Sequence, residues 1–334
     1  MSSRPTLSLV LPIFNEEAII PELDRRLRQF FEHVDGAVGQ DWEVIFVNDG
    51  SQDGSLPLLR EMAEGERRYR VVVFARNFGH QMAITAGLDR AEGDAVVVMD
   101  ADLQDPPEVV NDMLARWREG FDVVYGVRST RHGETWFKRM TAAAFYRLLR
   151  VMLGGVSIPV DAGDFRLMSR QVVLTMRALR EQHRFVRGMV AWVGFRQSAV
   201  RYERPPRFAG ETKFPFRKML RFAIDGITSF SVVPLRMATW LGVAAGLVAL
   251  AGGLWAFYVK LFASGVVPGW TTIMILVAMG SSAQLLMTGI LGEYVGRIYE
   301  EVKRRPLYVV SEQINFSPDG APEPGPRAMP ADIP

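Results

Sequence analysis

The chain has 334 residues, no cysteine, 49% hydrophobic and 23% charged residues, and a formal net charge of +2. Without cysteine there is no disulfide framework, thiolate metal site or cysteine nucleophile, and the near-neutral balance argues against a dedicated nucleic-acid binder. A mean hydropathy of +0.07 is too apolar for a disordered protein, and the length suits roughly two domains.

Residues 7–11 form an apolar run that stops at Pro12, and helical spacing follows from about Glu17 to Phe31. Residues 44–47 are a second short apolar run, ended by Asn48, Asp49 and Gly50; residues 71–74 and 95–99 are two more. Helix-like stretches cover residues 81–91 and 107–119. Strands alternating with helices predict an α/β fold with a mostly parallel sheet covered on both faces. Ligands in such sheets bind beyond the carboxyl ends of the strands. The polar residues just after each run are therefore expected to converge: Asn15 and Glu16, Asp49, and Asp100 with Asp102.

The third group carries the most chemistry. In VVVMDADLQDPPE, residues 96–108, two carboxylates stand two apart and Gln104 continues the series. Their hard oxygens suit Mg²⁺ or Mn²⁺, ions that usually also hold substrate phosphates. A lone D-x-D is a weak signal, but an apolar strand delivers this one to the ligand-binding edge. Asp105, before Pro106 and Pro107, reads as a cap for the next helix. His33, His80, His132 and His183 have no ligand spacing. Gly50 and Gly54 read as turn glycines, since no G-x-x-x-x-G-K is present.

The apolar excess lies further on. Residues 214–230 mix aromatic and aliphatic residues with Arg217, Lys218 and Arg221 at helical spacing, which predicts an amphipathic helix at a membrane surface. Residues 237–259 are about 23 uncharged residues, and residues 269–292 about 24 more, each long enough to cross a bilayer. Gly242/Gly246 and Gly292/Gly296 are spaced for close helix packing. Arg217, Lys218, Arg221 and Arg236 precede the first run, Arg297, Lys303, Arg304 and Arg305 follow the second, and the link holds only Lys260. The positive-inside rule then puts both ends in the cytoplasm. The expected organisation is a catalytic domain over 1–213, a juxtamembrane segment over 214–234, a two-helix hairpin over 235–296 and a cytoplasmic tail over 297–334. From about Ser317 the tail is Pro-rich and expected to be disordered.

LVLPIFNEE (9–17), VNDGSQDGS (47–55), RNFGHQMAITAGLDRAEGD (76–94) and MDADLQDPPE (99–108) resemble glycosyltransferase family 2. GDFRLMSR (163–170), RFVRGMVAWVGFRQ (184–197), RPPRFAGETKFPFRKML (204–220) and GEYVGRIYEEVKRRP (292–306) narrow the likeness to the bacterial polyprenyl-phosphate glycosyltransferases, cousins of dolichyl-phosphate mannose synthase. The resemblance covers the chain to about residue 310. It implies a GT-A fold, a nucleoside-diphosphate sugar donor (UDP-glucose by default), a divalent metal (Mg²⁺ or Mn²⁺) and a polyprenyl-phosphate acceptor. It also implies a homo-oligomer, a tetramer, in the bacterial inner membrane.

By motif position, Pro12, Phe14, Asn15, Glu16, Val47 and Asp49 are expected to line the nucleoside pocket. Asp100, Ala101, Asp102 and Gln104 meet the diphosphate and metal, with Asp100, Asp102 and Gln104 as the metal ligands. Arg128 matches a family arginine near the phosphates, and Arg207 and Lys213 a basic pair on a loop over the donor. Thr212 stands where that loop more often has Ser. Arg128, Lys138 and Arg139 are the candidates for the lipid phosphate, because Arg forks and Lys ammoniums suit phosphate; for Lys138 and Arg139 the alternative is a solvated helix face. One of Asp161 and Asp164 is expected on the acceptor side, orienting the nucleophile; the alternative is a carboxylate paired with Arg166. A processive polysaccharide synthase would carry a Q-x-x-R-W motif, which is absent. A non-catalytic scaffold is the other reading, and the intact D-x-D argues against it.

Overall fold

The computed structural model describes residues 5–34, 36, 38–128, 162–203, 233–262 and 269–316. They fall into two compact units: Met1–Tyr146, Val156–Phe214 and Pro306–Pro334 make the first, Arg147–Gly155 and Pro215–Arg305 the second.

In chain order the first unit contains β1 (Leu7–Ile13), α1 (Ile20–His33), β2 (Trp42–Asn48), α2 (Ser55–Gly65), β3 (Tyr69–Phe74), α3 (His80–Arg90) and β4 (Ala95–Val98). It continues with α4 (Val109–Arg118), β5 (Val123–Arg128), β6 (Ala162–Ser169), α5 (Arg170–Ala178), α6 (Val186–Trp192), β7 (Gln197–Tyr202) and β8 (Val310–Ile314). The strands form one sheet in the order β7-β5-β6-β4-β1-β2-β3-β8. Strands β4, β1, β2 and β3 are parallel neighbours. β6 and β8 run antiparallel to their partners. This is a GT-A-like α/β fold with a mostly parallel sheet.

Every residue of β1 and β2 is buried, as expected of strands covered on both faces. The polar exceptions at their starts satisfy one another. The Ser8 hydroxyl and the Glu92 N–H donate to Glu43 Oε1, at 2.5 and 2.7 Å, and Arg70 pairs with Oε2 at 2.7 Å. Helix α1 buries Ile20, Leu23, Leu27, Phe30 and Phe31, each contributing about 1.5–3 kcal/mol. Helix α3 lies close on β1: a Cβ at Gly87 would sit 2.2 Å from Val10 Cγ1.

Strand β1 does not stop at Pro12, as its composition suggested, but runs to Ile13. The reason is local. Pairing with β4 ends at Val10–Val98, so beyond it β1 has only β2 beside it, and a residue without an N–H is tolerated there. The strand order also reverses at β1, with β4 on one side and β2 on the other. The gap opened there is where ligands bind in such sheets.

Asp105 does not cap α4. It is buried and accepts the Tyr202 hydroxyl at 2.5 Å. Residues 310–314, expected as tail, form β8 on the free edge of β3. Stacking of Phe74 on Tyr308, with ring centroids 5.0 Å apart, supports this strand, as does the Arg60–Glu312 pair at 2.6 Å. Asn315, at φ 61, donates from Nδ2 to the carbonyls of Ala63 and Tyr69 at 2.7 and 2.8 Å. Asn315→Ala is expected to cost about 2–3 kcal/mol, from two lost hydrogen bonds and a left-handed backbone. Faster amide exchange across Val71, Val72 and Val73 together with a lower melting temperature is the expected readout; unchanged melting would count against the strap.

The second unit contains α7 (Val233–Phe262) and α8 (Trp270–Val302). Two membrane-crossing helices were expected. Among the described residues only α7 is both long and apolar enough, over Ala238–Trp255 at a mean hydropathy of 1.6. Helix α8 is as long, but Ser281, Ser282, Gln284 and Thr288 interrupt its middle, and it runs on to Val302 rather than ending near 296. Trp240, Leu247, Trp255 and Phe262 of α7 are exposed. Of the glycines spaced for close packing, Gly242 meets a neighbour, with its Cβ position 3.0 Å from Met287 Sδ. Among the described residues nothing lies within 4 Å of the Cβ positions of Gly246, Gly292 and Gly296. The juxtamembrane segment 214–230 and the tail from 317 lie outside the described residues.

Candidate functional site

The carboxyl ends of β1, β2 and β4 and the start of α3 surround a cavity of about 560 Å³. Pro12, Phe14, Asn15 and Glu16 line it from β1, Asp49 from β2, and Asp100, Ala101 and Asp102 from β4. Eight residues singled out in the sequence therefore share one cavity. Val47 does not line it; it is fully buried in the core. Gln104 is described but stands outside the lining set; Arg128 ends β5, and its side chain lies outside the described residues. Asp161, Lys138, Arg139, Arg207 and Lys213 lie outside the described residues.

Reciprocal hydrogen bonds between loops hold the β1 side. Asn15 sits in the left-handed region at φ 55, which Asn tolerates better than most residues. Its Oδ1 accepts the Gln52 N–H at 2.9 Å and its own N–H donates to Ser51 Oγ at 3.0 Å. The Glu16 N–H donates to Ser55 Oγ at 2.9 Å. The Glu17 N–H donates to Asp53 Oδ2 at 3.1 Å, and Glu17 Oε2 accepts the Gly54 N–H at 2.9 Å.

Asp49 braces the next wall. Its carboxylate accepts the N–H groups of Phe78 and Gly79 at 2.6 and 2.9 Å, and Asn77 Nδ2 donates to its carbonyl at 3.2 Å. Burial raises its pKa despite those two donors. The loop it pins delivers Asn77, Gly79 and His80 to the cavity. Gly50, at φ +68, allows the approach: a Cβ there would be 2.5 Å from the Arg76 carbonyl carbon.

After β4 the chain alternates. Met99, Ala101 and Leu103 point into the core while Asp100, Asp102 and Gln104 are part-exposed. Leu103 is at φ 58, a strained conformation for Leu, and Asp102 Oδ1 accepts the Gln104 N–H at 3.1 Å. Burial pushes Asp100 up to about 6, and Asp105, Asp164 and Asp102 add to the effect against His80. Asp100 Oδ1 is a buried oxygen with no hydrogen-bond partner, 3.5 Å from His80 Nε2.

Asp164, on β6, faces the same corner. It is not paired with Arg166, whose terminal nitrogen donates to the Gly163 carbonyl at 2.8 Å. Arg187 Nε lies 2.8 Å from Asp164 Oδ1, a terminal Arg187 nitrogen 3.0 Å from Oδ2, and His80 Nε2 3.3 Å from Oδ2. Burial alone would raise the Asp164 pKa, but the His80 and Arg187 hydrogen bonds outweigh it and hold the group well below the carboxylate range. Burial likewise works against protonated His80, and the Asp164 hydrogen bond with the nearby carboxylate charges wins, raising its pKa.

Among the described residues no three His, Asp or Glu side chains gather to hold a metal. Two hard carboxylates, one carrying an orphaned oxygen, nevertheless suit an ion such as Mg²⁺ that takes its other ligands from substrate phosphates and water. His80 was read as unremarkable because it has no ligand spacing. The available signal was its place in RNFGH, directly after an apolar strand.

The family model for glycosyl transferase family 2 matches residues 8–176. An uncharacterized glycosyltransferase of Bacillus subtilis, YkcC, is 48% identical over 93% of this chain and 95% of its own length. A prophage bactoprenol glucosyl transferase homolog of Escherichia coli is 38% identical over 91% of this chain and 98% of its own. The bactoprenol glucosyl transferase of Shigella phage SfII is 39% identical over 93% and 99%.

Proposed function

The chain belongs to glycosyl transferase family 2 and is a glycosyltransferase, and from that premise we propose that it transfers a hexose, glucose by default, from a UDP-sugar to a polyprenyl phosphate. Undecaprenyl phosphate is the acceptor the bacterial relatives suggest, and the product is a polyprenyl-phosphate sugar for envelope glycosylation. One observation carries the reading. The bactoprenol transferase relatives align over more than nine-tenths of this chain.

The reaction breaks the bond between the sugar C1 and the UDP β-phosphate oxygen and forms one from C1 to an acceptor phosphate oxygen, with inversion. The leaving diphosphate gains negative charge. A divalent ion bound through Asp100 and Asp102, with Gln104 beside them, would supply the stabilising positive charge. Pro12, Phe14, Asn15, Glu16 and Asp49 hold the nucleoside, and Arg207 and Lys213 close over the phosphates. The acceptor is already anionic near neutral pH, so it needs positive charge to bind and aim it more than a strong base. Arg128, Lys138 and Arg139 are assigned to that task.

The lipid tail requires a membrane-bound enzyme. The apolar surface of α7 and the basic flanks fit a multi-pass inner-membrane protein with its catalytic domain and both termini in the cytoplasm. Helix α8 serves as the second span in this reading. The tetramer implied by the family resemblance belongs to the same reading.

The test is a screen of nucleotide sugars with membranes holding the full chain and undecaprenyl phosphate, reading the glycolipid by mass spectrometry. A hexosyl-phosphoryl-undecaprenol that requires a divalent ion is the expected product. Sugar transfer to a protein or a growing polysaccharide, with none to the lipid, would overturn the reading.

A further inference from the structure

Asp164 looks like a base by its place beside the reaction corner, but both its oxygens are taken. Arg187 grips them as a fork at 2.8 and 3.0 Å. His80 Nε2 and Gln81 Nε2 approach Oδ2 at 3.3 and 3.5 Å. The side chain is 5% exposed. A carboxylate satisfied in this way has no oxygen directed at a substrate proton, and a phosphate acceptor offers little that needs removing.

What the carboxylate does is seat cations. Arg187 keeps 31% of its side-chain surface exposed and His80 45%, and His80 lines the cavity that also holds Asp100 and Asp102. His80 Nε2 lies 3.3 Å from Asp164 Oδ2 and 3.5 Å from Asp100 Oδ1. Both distances are long for a hydrogen bond, so the imidazole gives up little by turning to a better acceptor. Arg166 is buried, with an Nε that has no hydrogen-bond partner. Asp164 and Asp100 both stand beside this cluster and neutralise part of its charge, and the exposed faces of Arg187 and His80 are what a phosphate monoester would meet. A guanidinium group and an imidazole N–H are suitable donors to phosphate oxygens.

We infer that Asp164 is a positioning residue that holds His80 and Arg187 as a subsite for the phosphate monoester of the acceptor, and that it does not itself take a proton from the substrate. The inference rests on the polyprenyl-phosphate reading. It adds His80 and Arg187 to the acceptor side and moves Asp164 from chemistry to alignment.

The experiment compares the full-length wild type with Asp164→Asn, Arg187→Gln and His80→Gln. Steady-state transfer is measured against undecaprenyl phosphate, and UDP binding is measured separately by calorimetry without acceptor. Losing a charge-assisted contact should raise the acceptor KM about 10–100-fold. The loss in kcat at saturating acceptor should stay below about tenfold, and UDP affinity should stay within about twofold. Arg187→Lys keeps the charge and loses the fork, so its KM should rise several-fold with kcat retained; this variant decides the matter if Asp164→Asn fails to fold. A fall of about a thousandfold in kcat for Asp164→Asn with an unchanged acceptor KM would make it a chemical participant and overturn the inference. UDP affinity falling in step with transfer would overturn it too, by assigning the cluster to the donor. Wild-type transfer to the lipid with no KM change in any variant sinks this inference alone. No wild-type transfer to any polyprenyl phosphate sinks the functional reading and this inference with it.

Discussion

Asp102→Ala is expected to reduce transfer by about a thousandfold and to make UDP binding insensitive to Mn²⁺ or to a chelator. Asp102 lines the cavity and stands at the end of β4, the strand beside the opening of the sheet. A carboxylate there is placed for an ion that neutralises a leaving diphosphate. Removing one preorganised stabiliser of developing charge costs about 10²–10³-fold, and a thousandfold corresponds to about 4 kcal/mol of barrier. Because Asp102 Oδ1 also accepts the Gln104 N–H at 3.1 Å, Asp102→Asn is the matched variant. It keeps an oxygen for that turn and loses the negative charge, so it should be nearly as inactive while melting with the wild type. Full activity of Asp102→Ala in chelator would remove the metal assignment altogether.

Gly50→Ala should destabilise the first unit by about 2–5 kcal/mol and weaken donor binding at the same time. Two costs combine. At φ +68 any L side chain is strained, by roughly 1–2 kcal/mol. Its Cβ would also lie 2.5 Å from the Arg76 carbonyl carbon and 2.6 Å from the Asn77 nitrogen. Those are backbone atoms that cannot swing aside, and overpacking adds about 1–3 kcal/mol. The displaced loop is the one that Asp49 pins and that presents Asn77 and Gly79 to the cavity. Gly39→Ala separates the two costs. Gly39 is also left-handed, at φ +53, but among the described residues its Cβ would meet only the Gly36 carbonyl at 3.7 Å, so strain is the cost that applies. Thermal unfolding of the two variants side by side checks the argument, which fails if they melt together.

The expected elements of the sheet were legible because their signals are local. A strand covered on both faces must be apolar almost without interruption, and residues 44–47 and 71–74 satisfy this from composition alone. Boundaries were less legible where they depended on neighbours. Pro12 looks like a strand end until β4 is seen to stop pairing at Val98, which frees the side of β1 where a donor would be missed. Val310–Ile314 alternates too weakly to announce a strand; its backbone pairs because β3 leaves an open edge. In α8, length and charge alone suggested a second membrane span, and the polar residues in its middle lower the apolarity that such a span requires.

The same division holds within the site. Asn15, Glu16, Asp49, Asp100 and Asp102 could be brought together on paper, because strands in one parallel sheet end on the same side and the residues just past those ends must meet. That follows from covalent order and side-chain chemistry, which the amino acids carry with them. The pairing of Asp164 with Arg187 and His80 could not be read this way. These residues are separated by 23 and 84 positions, and each has other charged residues nearer in the chain, Arg166 among them. Which partner a buried carboxylate takes depends on which cations the packing of α3 and α6 brings to it, His80 at 3.3 Å and Arg187 at 2.8 Å, since burial penalises every unpaired alternative. Only the tertiary structure decides that.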